Sequence, residues 1–239
     1  MLTRTAFTGA NVFRMPFIKI RSEGHLFIVI FMVIAIILST VAQWLGFIGV
    51  ILVGWCIYFF RDPDRVTPLE NGLIISPADG VIQMVGDAVL PPELDMGDAP
   101  MRRVSIFMNV FDCHVNRVPI DGEIVKNSYR PGKFLNASLD KASEDNERRS
   151  LVIKTEKGIE LTVVQIAGLI ARRIICWADE GQSLRTGERY GMIRFGSRVD
   201  VYLPKGTRLL AIPGQRAVAG ETPIAQLENS QEDQKGEWR

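Results

Sequence analysis

Histidine and cysteine are scarce in this chain, whose 239 residues include two histidines and three cysteines. Cys56, Cys113 and Cys176 show no paired spacing, and Cys56 lies inside an apolar run, which argues against a disulfide framework and a zinc site. No excess of one charge sign exists either, because 28 basic residues nearly balance 27 acidic ones. This balance gives no reason to expect a nucleic-acid partner, and the cysteine usage fits a reducing compartment.

Charge is absent from one long stretch, the 35 residues 26–60. The stretch is too long for the apolar part of a signal peptide and for one ordinary membrane span. It predicts two short helices, 26–41 and 45–60, with a tight turn between them. Basic residues flank both ends, which places both ends in the cytoplasm if the hairpin enters a membrane. A spanning hairpin, a re-entrant hairpin and a buried core hairpin of a soluble protein all remain open.

Beyond residue 65 the pattern changes to short β-rich runs separated by glycine and proline. An apolar stretch at 166–176 predicts the one helix of this part. The expected fold is mostly β, a sandwich or barrel of the α+β kind, with an N-terminal hydrophobic helical hairpin. The predicted division is an anchoring hairpin over 1–65, a β-rich catalytic domain over 66–228 and a disordered tail over 229–239. Strands are predicted near 72–85, 103–110, 122–129, 150–155, 159–167, 198–203 and 207–212.

The pair Gly196-Ser197 is the first candidate for chemistry. Most Gly-Ser pairs are turns, but a serine hydroxyl can also attack the carbonyl that precedes it and convert the amide into an ester. Elimination then cuts the chain and leaves a dehydroalanine, whose hydrolysis gives a pyruvoyl group. Glycine permits the bent backbone that such an attack needs, and the attack also requires a base.

Two further residues are candidates for acid–base chemistry. His114 has polar neighbours and a side chain that titrates near neutrality, so it is either a general base or a satisfied core histidine. The other histidine, His25, stands at the start of the apolar run. Asp79 lies in an Asp-Gly turn, either as a structural turn residue or as an acid that orients a histidine. With Ser197 they match the residue types of a serine-hydrolase triad, although the Gly-x-Ser-x-Gly elbow is absent.

Several motifs, in this order and spacing, resemble the phosphatidylserine decarboxylase proenzyme family in its short bacterial or archaeal, pyruvoyl-dependent form. They are F-F-R-D-P at 59–63, S-P-A-D-G at 76–80, F-D-C-H-V-N-R at 111–117, R-P-G-K-F-L-N-A at 130–137, K-A-S-E-D-N-E-R at 141–148 and R-F-G-S at 194–197. The chain departs from longer relatives at the cut, where they carry Leu-Gly-Ser-Thr. It also has Arg117 where the second histidine of a His-x-x-His pair is expected.

The resemblance implies self-cleavage into a β chain, 1–196, and an α chain, 197–239. Ser197 would become the pyruvoyl group, which forms a Schiff base with the amine of phosphatidylserine and needs no metal. The products would be phosphatidylethanolamine and CO2, a step of phospholipid biosynthesis. The implied catalytic residues are Ser197, His114 and Asp79, with cleavage after Gly196. The implied substrate-binding residues are Phe134, Lys133, Arg148 and Arg117.

The expected partners are a membrane phospholipid and the two cleaved chains, with no nucleic acid and a homodimer as a candidate assembly. The catalytic domain is expected at the cell membrane, on its cytoplasmic side. One rival is a serine hydrolase that uses the same three residues. Another is a pyruvoyl decarboxylase acting on a different amino acid or on an ether-linked serine lipid. Turns near 211–225 also resemble those of lipoyl or biotin carrier domains, but the modified lysine between two methionines is missing.

Overall fold

The computed structural model describes residues 19–132, 145–168, 173–194 and 197–227. The described residues contain two α-helices, α1 (His25–Val41) and α2 (Gln43–Phe59). They also contain two short 3-10 helices, Ser22–Gly24 and Pro92–Leu94. The strands of the described residues are β1 (Lys19–Ile20), β2 (Arg61–Asp62), β3 (Leu73–Ile75), β4 (Gly80–Ala88), β5 (Met101–Met108), β6 (Val115–Arg117), β7 (Gly122–Arg130), β8 (Arg148–Lys154), β9 (Glu160–Ala167), β10 (Ile174–Cys176), β11 (Ser183–Leu184), β12 (Arg189–Ile193), β13 (Ser197–Leu203), β14 (Arg208–Leu209), β15 (Arg216–Ala217) and β16 (Pro223–Gln226).

The uncharged stretch forms the predicted pair of helices, each 17 residues long. The break falls at Ala42, whose backbone is extended (φ −157°, ψ 138°), just before the expected turn. The two helices approach closely, since a Cβ on Gly49 would lie 2.5 Å from the Cβ of Ala35. Most other apolar side chains of the pair are exposed. Residues Ser22–Val41 are long and apolar enough to cross a membrane, and α2 is apolar but shorter.

An eight-stranded antiparallel sheet, in the order β11-β7-β8-β9-β13-β5-β4-β15, forms the body of the domain. The sheet curls around a core to which alternate residues of its strands contribute, among them Ile106, Val163 and Val199. Two three-stranded sheets, β10-β12-β6 and β14-β16-β3, also contribute to this core. The prediction of a mostly β fold with an N-terminal helix pair is confirmed.

The predicted helix over 166–176 is wrong. Ile166 and Ala167 end strand β9, where they pair with β13, and Ile174–Cys176 form β10 beside β12. β-Branched isoleucines fit a pleated surface, and the apolar run reflects burial in two strands of different sheets. Residues 169–172 between them lie outside the described residues, as does the predicted tail, 229–239. The strands expected near 72–85, 103–110, 122–129, 150–155, 159–167 and 198–203 are confirmed.

Gly80, at the start of β4, is expected to be the most sensitive glycine of the sheet. A Cβ there would lie 2.1 Å from the carbonyl oxygen of Phe107 on β5, and the backbone has φ +153°. Because a backbone oxygen cannot move aside, Gly80→Ala should destabilise the fold by about 3 kcal/mol or more. Gly86→Ala on the same strand is the matched control, since its Cβ would meet nothing within 4 Å. Equal thermal unfolding midpoints for the two variants would contradict this expectation.

Candidate active site

Ser197 is the first residue of β13, which lies inside the large sheet between β5 and β9. It pairs with Met108 on β5 and with Ala167 on β9, so its backbone is held on both sides. Its side chain is fully buried, and no described residue hydrogen-bonds its hydroxyl. Leaving such a hydroxyl unpaired costs about 1–3 kcal/mol, and the position of Ser197 directly after Gly196 makes this one the candidate nucleophile. Phe195 and Gly196 lie outside the described residues, so the predicted cleavage partner is not described.

His114 lies at the same end of the large sheet as Ser197, but on a different segment of the chain. It ends the loop 109–114, which begins directly after Met108, the cross-strand partner of Ser197. The backbone N–H of Ile193 donates to the carbonyl oxygen of His114 at 3.3 Å. Ile193 ends β12, only four residues before Ser197. Two separate connections, through β5 and through β12, therefore bring the predicted serine and histidine into one region.

The His114 imidazole is fully buried and held in a single orientation. Its Nδ1 lies 2.9 Å from the carbonyl oxygen of Asp112. A carbonyl can only accept, so Nδ1 carries the proton and Nε2 carries the lone pair. The Phe59 ring lies 4.3 Å away, centre to centre, tilted by 36°. Burial lowers the pKa of His114 to about 4, partly opposed by the bond to Asp112. The ring is therefore neutral near pH 7 and able to accept a proton at Nε2.

Asp79 lies in the predicted turn, buried next to β6. The Pro77 carbonyl of that turn accepts from the backbone N–H of Arg117 at 2.9 Å, three residues after the histidine. Both carboxylate oxygens of Asp79 have partners: Arg65 at 2.8 Å and the Ala219 N–H at 2.7 Å. Burial raises the pKa of Asp79, and the Arg65 charge opposes that rise. Asp79 thus joins the turn to residues from both sides of the predicted cleavage point. Within the described ranges, no group of three or more His, Cys, Asp or Glu side chains could hold a metal ion.

Two of the predicted substrate-binding residues have internal partners. Arg117 donates to the carbonyl oxygens of Gly187 and Pro63, at 2.8 Å each. Arg148 is buried and makes a bidentate pair with Glu93, at 2.5 Å through Nε and 2.5 Å through Nη2. Both guanidinium groups thus hold parts of the fold together, and their role in lipid binding stays a prediction. The other two predicted contacts lie outside the described residues: Lys133 and Phe134.

Three polar side chains near Ser197 were not singled out from the sequence. Asn116 accepts a hydrogen bond from the Gln165 amide at 2.8 Å, and both residues are fully buried. Asn146 donates at 2.7 Å to the carbonyl of Ala167, the cross-strand partner of Ser197. Gln165 occupies an inward position of β9 where alternation predicts an apolar residue, and that exception was the available signal. These amides give the site a polar support within the apolar core.

The end of α2 forms one wall of the site. Phe59 packs with Met192 of β12 in a buried apolar cluster. Arg61, two residues later, donates to the carbonyl of Phe111 at 2.9 Å, and its own carbonyl accepts from the Cys113 thiol at 3.3 Å. Phe111 and Cys113 belong to the loop that carries the histidine. The uncharged helix pair is thus fastened directly to the histidine loop.

Removing the Phe59 ring should alter the histidine as well as the fold. Phe59→Ala is expected to cost about 3–5 kcal/mol of stability through the cavity it leaves. Water admitted to that cavity should raise the pKa of His114 from about 4 towards 6.5, because burial is the main cause of its depression. NMR titration of the two histidines would measure this, with His25 as internal reference. Phe47→Ala, at an exposed position of α2, is the control; an unmoved His114 titration in Phe59→Ala would contradict the expectation.

Comparisons with known proteins agree with this arrangement. The family model described as phosphatidylserine decarboxylase matches residues 52–225. A phosphatidylserine decarboxylase proenzyme of Paramagnetospirillum magneticum is 57% identical over 220 residues, which cover 92% of each chain. One of Cereibacter sphaeroides is 56% identical over 224 residues, covering 93% of this chain and 97% of the relative. One of Ruegeria pomeroyi is 57% identical over 206 residues, covering 86% and 94%.

The fold and the site define an enzyme built on a β-rich domain, with an apolar helix pair fastened to the loop that carries His114. The family match covers well over half of the chain, and the relatives exceed half identity over nearly their whole length. The chain belongs to the phosphatidylserine decarboxylase family.

Proposed function

We propose that this enzyme is a self-processing, pyruvoyl-dependent decarboxylase that converts phosphatidylserine to phosphatidylethanolamine and CO2. Family membership supports the reaction and the substrate. The observation that carries the self-processing is the Ser197 hydroxyl, fully buried and without a partner among the described residues. It follows Gly196 directly and begins a strand that is held on both sides. The word proenzyme in the names of the relatives supports the same processing.

Maturation begins when the Ser197 oxygen attacks the carbonyl carbon of Gly196. The new C–O bond replaces the C–N bond and gives an ester, and the hydroxyl proton passes to a base. We assign Nε2 of His114 as that base, because Nδ1 donates to Asp112. A base then removes the Ser197 Cα proton, and the Cβ–O bond breaks to expel the Gly196 carboxylate and leave dehydroalanine. Water adds to the imine form of this residue, and its nitrogen leaves as ammonia to give the ketone. Asp79 has a positioning role. Its carboxylate oxygens accept hydrogen bonds from Arg65 and from the Ala219 N–H, and these bonds fix the turn at 76–80 that packs against β6.

In decarboxylation the side chains of the site control water and protons. The pyruvoyl group supplies an electrophilic carbonyl that takes up the substrate amine and accepts the electron pair of the breaking carbon–carboxylate bond. The Phe59 wall excludes water, which favours a step in which a carboxylate loses its charge. His114 takes up at Nε2 the proton that the substrate ammonium group loses, and then gives it to the product carbon. Its pKa of about 4 makes the protonated ring a ready donor.

A serine hydrolase built from the same three residues is the main rival. Such an enzyme needs its serine open to an external substrate in the uncut chain, where the Ser197 side chain is fully buried. The decarboxylase needs residue 197 open only after the cut has made it a chain terminus. A pyruvoyl enzyme acting on a soluble amino acid would also have no use for the exposed apolar helix pair. Burial of the serine and exposure of the helices together favour the lipid decarboxylase.

We further propose that the helix pair holds the enzyme at the cell membrane with the catalytic domain on the cytoplasmic side. Support comes from the exposed apolar side chains of α1 and α2 and from the length of Ser22–Val41. Basic residues before and after the pair, such as Lys19 and Arg61, fit the excess of positive charge on cytoplasmic flanks. The product remains in the bilayer, so an anchored enzyme meets its substrate without extracting it.

Intact mass of the purified protein, followed by an assay of CO2 release from phosphatidylserine, tests the proposal. Two fragments that meet at 196/197, with the smaller about 17 Da lighter than a free serine start, are expected. Loss of CO2 release after treatment with a carbonyl reagent such as hydroxylamine would support the ketone. A single uncut chain that a serine-reactive phosphonate labels at Ser197 would refute self-processing and establish the hydrolase. Parallel assays with diacyl and ether-linked lipids define the substrate range.

A further inference from the structure

Two arginines lie opposite each other at the edge of the small sheet that leads to Ser197. Ile174 on β10 pairs with Ile193 on β12, and one step further the backbone N–H of Arg194 donates to the Arg173 carbonyl at 3.3 Å. Like charges directly opposite on antiparallel strands are destabilising. The fold nevertheless places both cations here, at the exit of β12 towards the reactive residue. This arrangement indicates a place where an anion binds.

The surroundings of Arg194 strengthen this indication. Its guanidinium carbon lies 5.2 Å from the centre of the Phe27 ring in the first turn of α1, and its Nε is buried without an acceptor among the described residues. Burial lowers the pKa of Arg194 and the Arg173 charge lowers it further, while Glu23 opposes them. The Glu23 carboxylate already accepts a hydrogen bond from Trp177 Nε1 at 3.0 Å. Glu23, the acid whose charge raises the pKa of Arg194, is therefore already hydrogen-bonded to another donor.

We propose that Arg173 and Arg194 bind the phosphodiester anion of the lipid headgroup and so direct the serine amine to residue 197. This subsite deepens the proposed function and rests on it for the identity of the lipid. Arginine forks match phosphate oxygens, and a bound phosphodiester removes the repulsion between the two cations.

The distances suit such a headgroup. Arg194 is three residues before Ser197, so their Cα atoms are at most about 11 Å apart. The phosphorus of a serine phospholipid is four bonds from the amine, about 5 Å, and an extended arginine side chain adds about 7 Å of reach. The contact of Arg194 with Phe27 places the subsite at the base of the apolar helices, where the lipid tails can lie. Polar and apolar parts of one lipid therefore meet their matching surfaces.

Kinetics in mixed micelles test the subsite with the processed enzyme. Arg173→Gln should raise the KM for phosphatidylserine about tenfold or more with a smaller change in kcat, because a charge-assisted contact is lost. Arg173→Lys should restore part of the loss. Lys205→Gln removes the same charge from an exposed turn at the far end of β13 and should leave KM within about twofold. An O-alkyl serine, which has the amine and carboxylate but no phosphate, should be turned over equally by wild type and Arg173→Gln. Equal KM shifts in Arg173→Gln and Lys205→Gln would overturn the proposal.

Direct binding separates this proposal from the proposed function. Calorimetric titration of the full-length Ser197→Ala chain in detergent with glycerophosphoserine needs no turnover, and adding Arg173→Gln should weaken binding about tenfold or more. Inorganic phosphate bound as tightly as glycerophosphoserine would overturn the headgroup assignment in favour of a free-phosphate site. Binding that depends on Arg173, together with a wild-type protein that releases no CO2 from phosphatidylserine, would refute the proposed function and keep the subsite. Phosphatidylserine turnover by the wild type, with binding unaffected by Arg173→Gln, would support the proposed function and overturn the subsite.

Discussion

Ser197→Ala is expected to remain a single uncut chain with no decarboxylase activity. Without the hydroxyl there is no oxygen to attack Gly196, so neither the cut nor the ketone can form. The variant should be as stable as the uncut wild-type precursor or slightly more stable, by up to about 1–3 kcal/mol, because the hydroxyl is buried without a described partner. If misfolding caused the loss of activity, the variant would instead be less stable than the uncut precursor. Gel mobility and intact mass measure the cut, CO2 release from phosphatidylserine measures the activity, and thermal unfolding measures the stability.

Ser105→Ala is a close control for that experiment. Ser105 lies on β5 beside β13, is fully buried, and likewise has a hydroxyl without a partner among the described residues. It pairs with Asp200 rather than with the start of the strand. Its replacement should leave cleavage and turnover intact. Processing in Ser197→Ala would show that the Ser197 hydroxyl is not the nucleophile. Loss of processing in Ser105→Ala would show that the effect of Ser197→Ala is not specific to the Ser197 hydroxyl.

His114→Gln is expected to slow both maturation and decarboxylation, each by about a hundredfold or more, the usual contribution of a positioned acid–base group. His25→Gln is the control, since His25 is exposed at the start of α1. The time course of cleavage after synthesis measures the first effect. CO2 release per cleaved chain measures the second. A variant that is cut at the normal rate but turns over slowly would remove His114 from maturation and keep it in catalysis.

The same histidine should make stability depend on pH. Its pKa is about 4 in the fold against 6.5 in the unfolded chain, so between these values the unfolded state binds more protons. The stabilisation is fully present above pH 6.5 and is lost as the pH falls to about 4, up to about 3 kcal/mol in total. His114→Gln should flatten this part of the stability profile. An unchanged slope between pH 6.5 and 4 would show that other groups cause it.

Features that depend on local pattern could be predicted from the sequence. The absence of charged residues over 26–60 predicted the helix pair, and short β-rich runs between glycine and proline predicted most strands of the large sheet. The scarcity of histidine singled out His114, and Gly196-Ser197 marked the proposed nucleophile. The helix expected over 166–176 failed because an apolar run carries no periodicity that separates a helix from two buried strands.

Features that depend on pairing between distant segments could not be predicted. The contact of Asp79 with Arg65 and Ala219 follows from how three separate turns pack. The opposition of Arg173 and Arg194 exists only because β10 and β12 pair in one register, and a one-residue shift would separate them. Charge alone could not distinguish such residues from basic residues that have internal partners.

Residues 197–227 supply β13 inside the large sheet, β15 at its edge, and both β14 and β16 of a small sheet. A cut before residue 197 therefore leaves the short chain woven into the domain, held by backbone pairing and the shared core. Unfolding would separate the two chains and leave no bond between them to guide their return. The mature enzyme would then have to reassemble from two molecules, whereas its precursor folded as one. The working lifetime of a chain cut there would accordingly be set by the height of the unfolding barrier, a kinetic rather than an equilibrium stability.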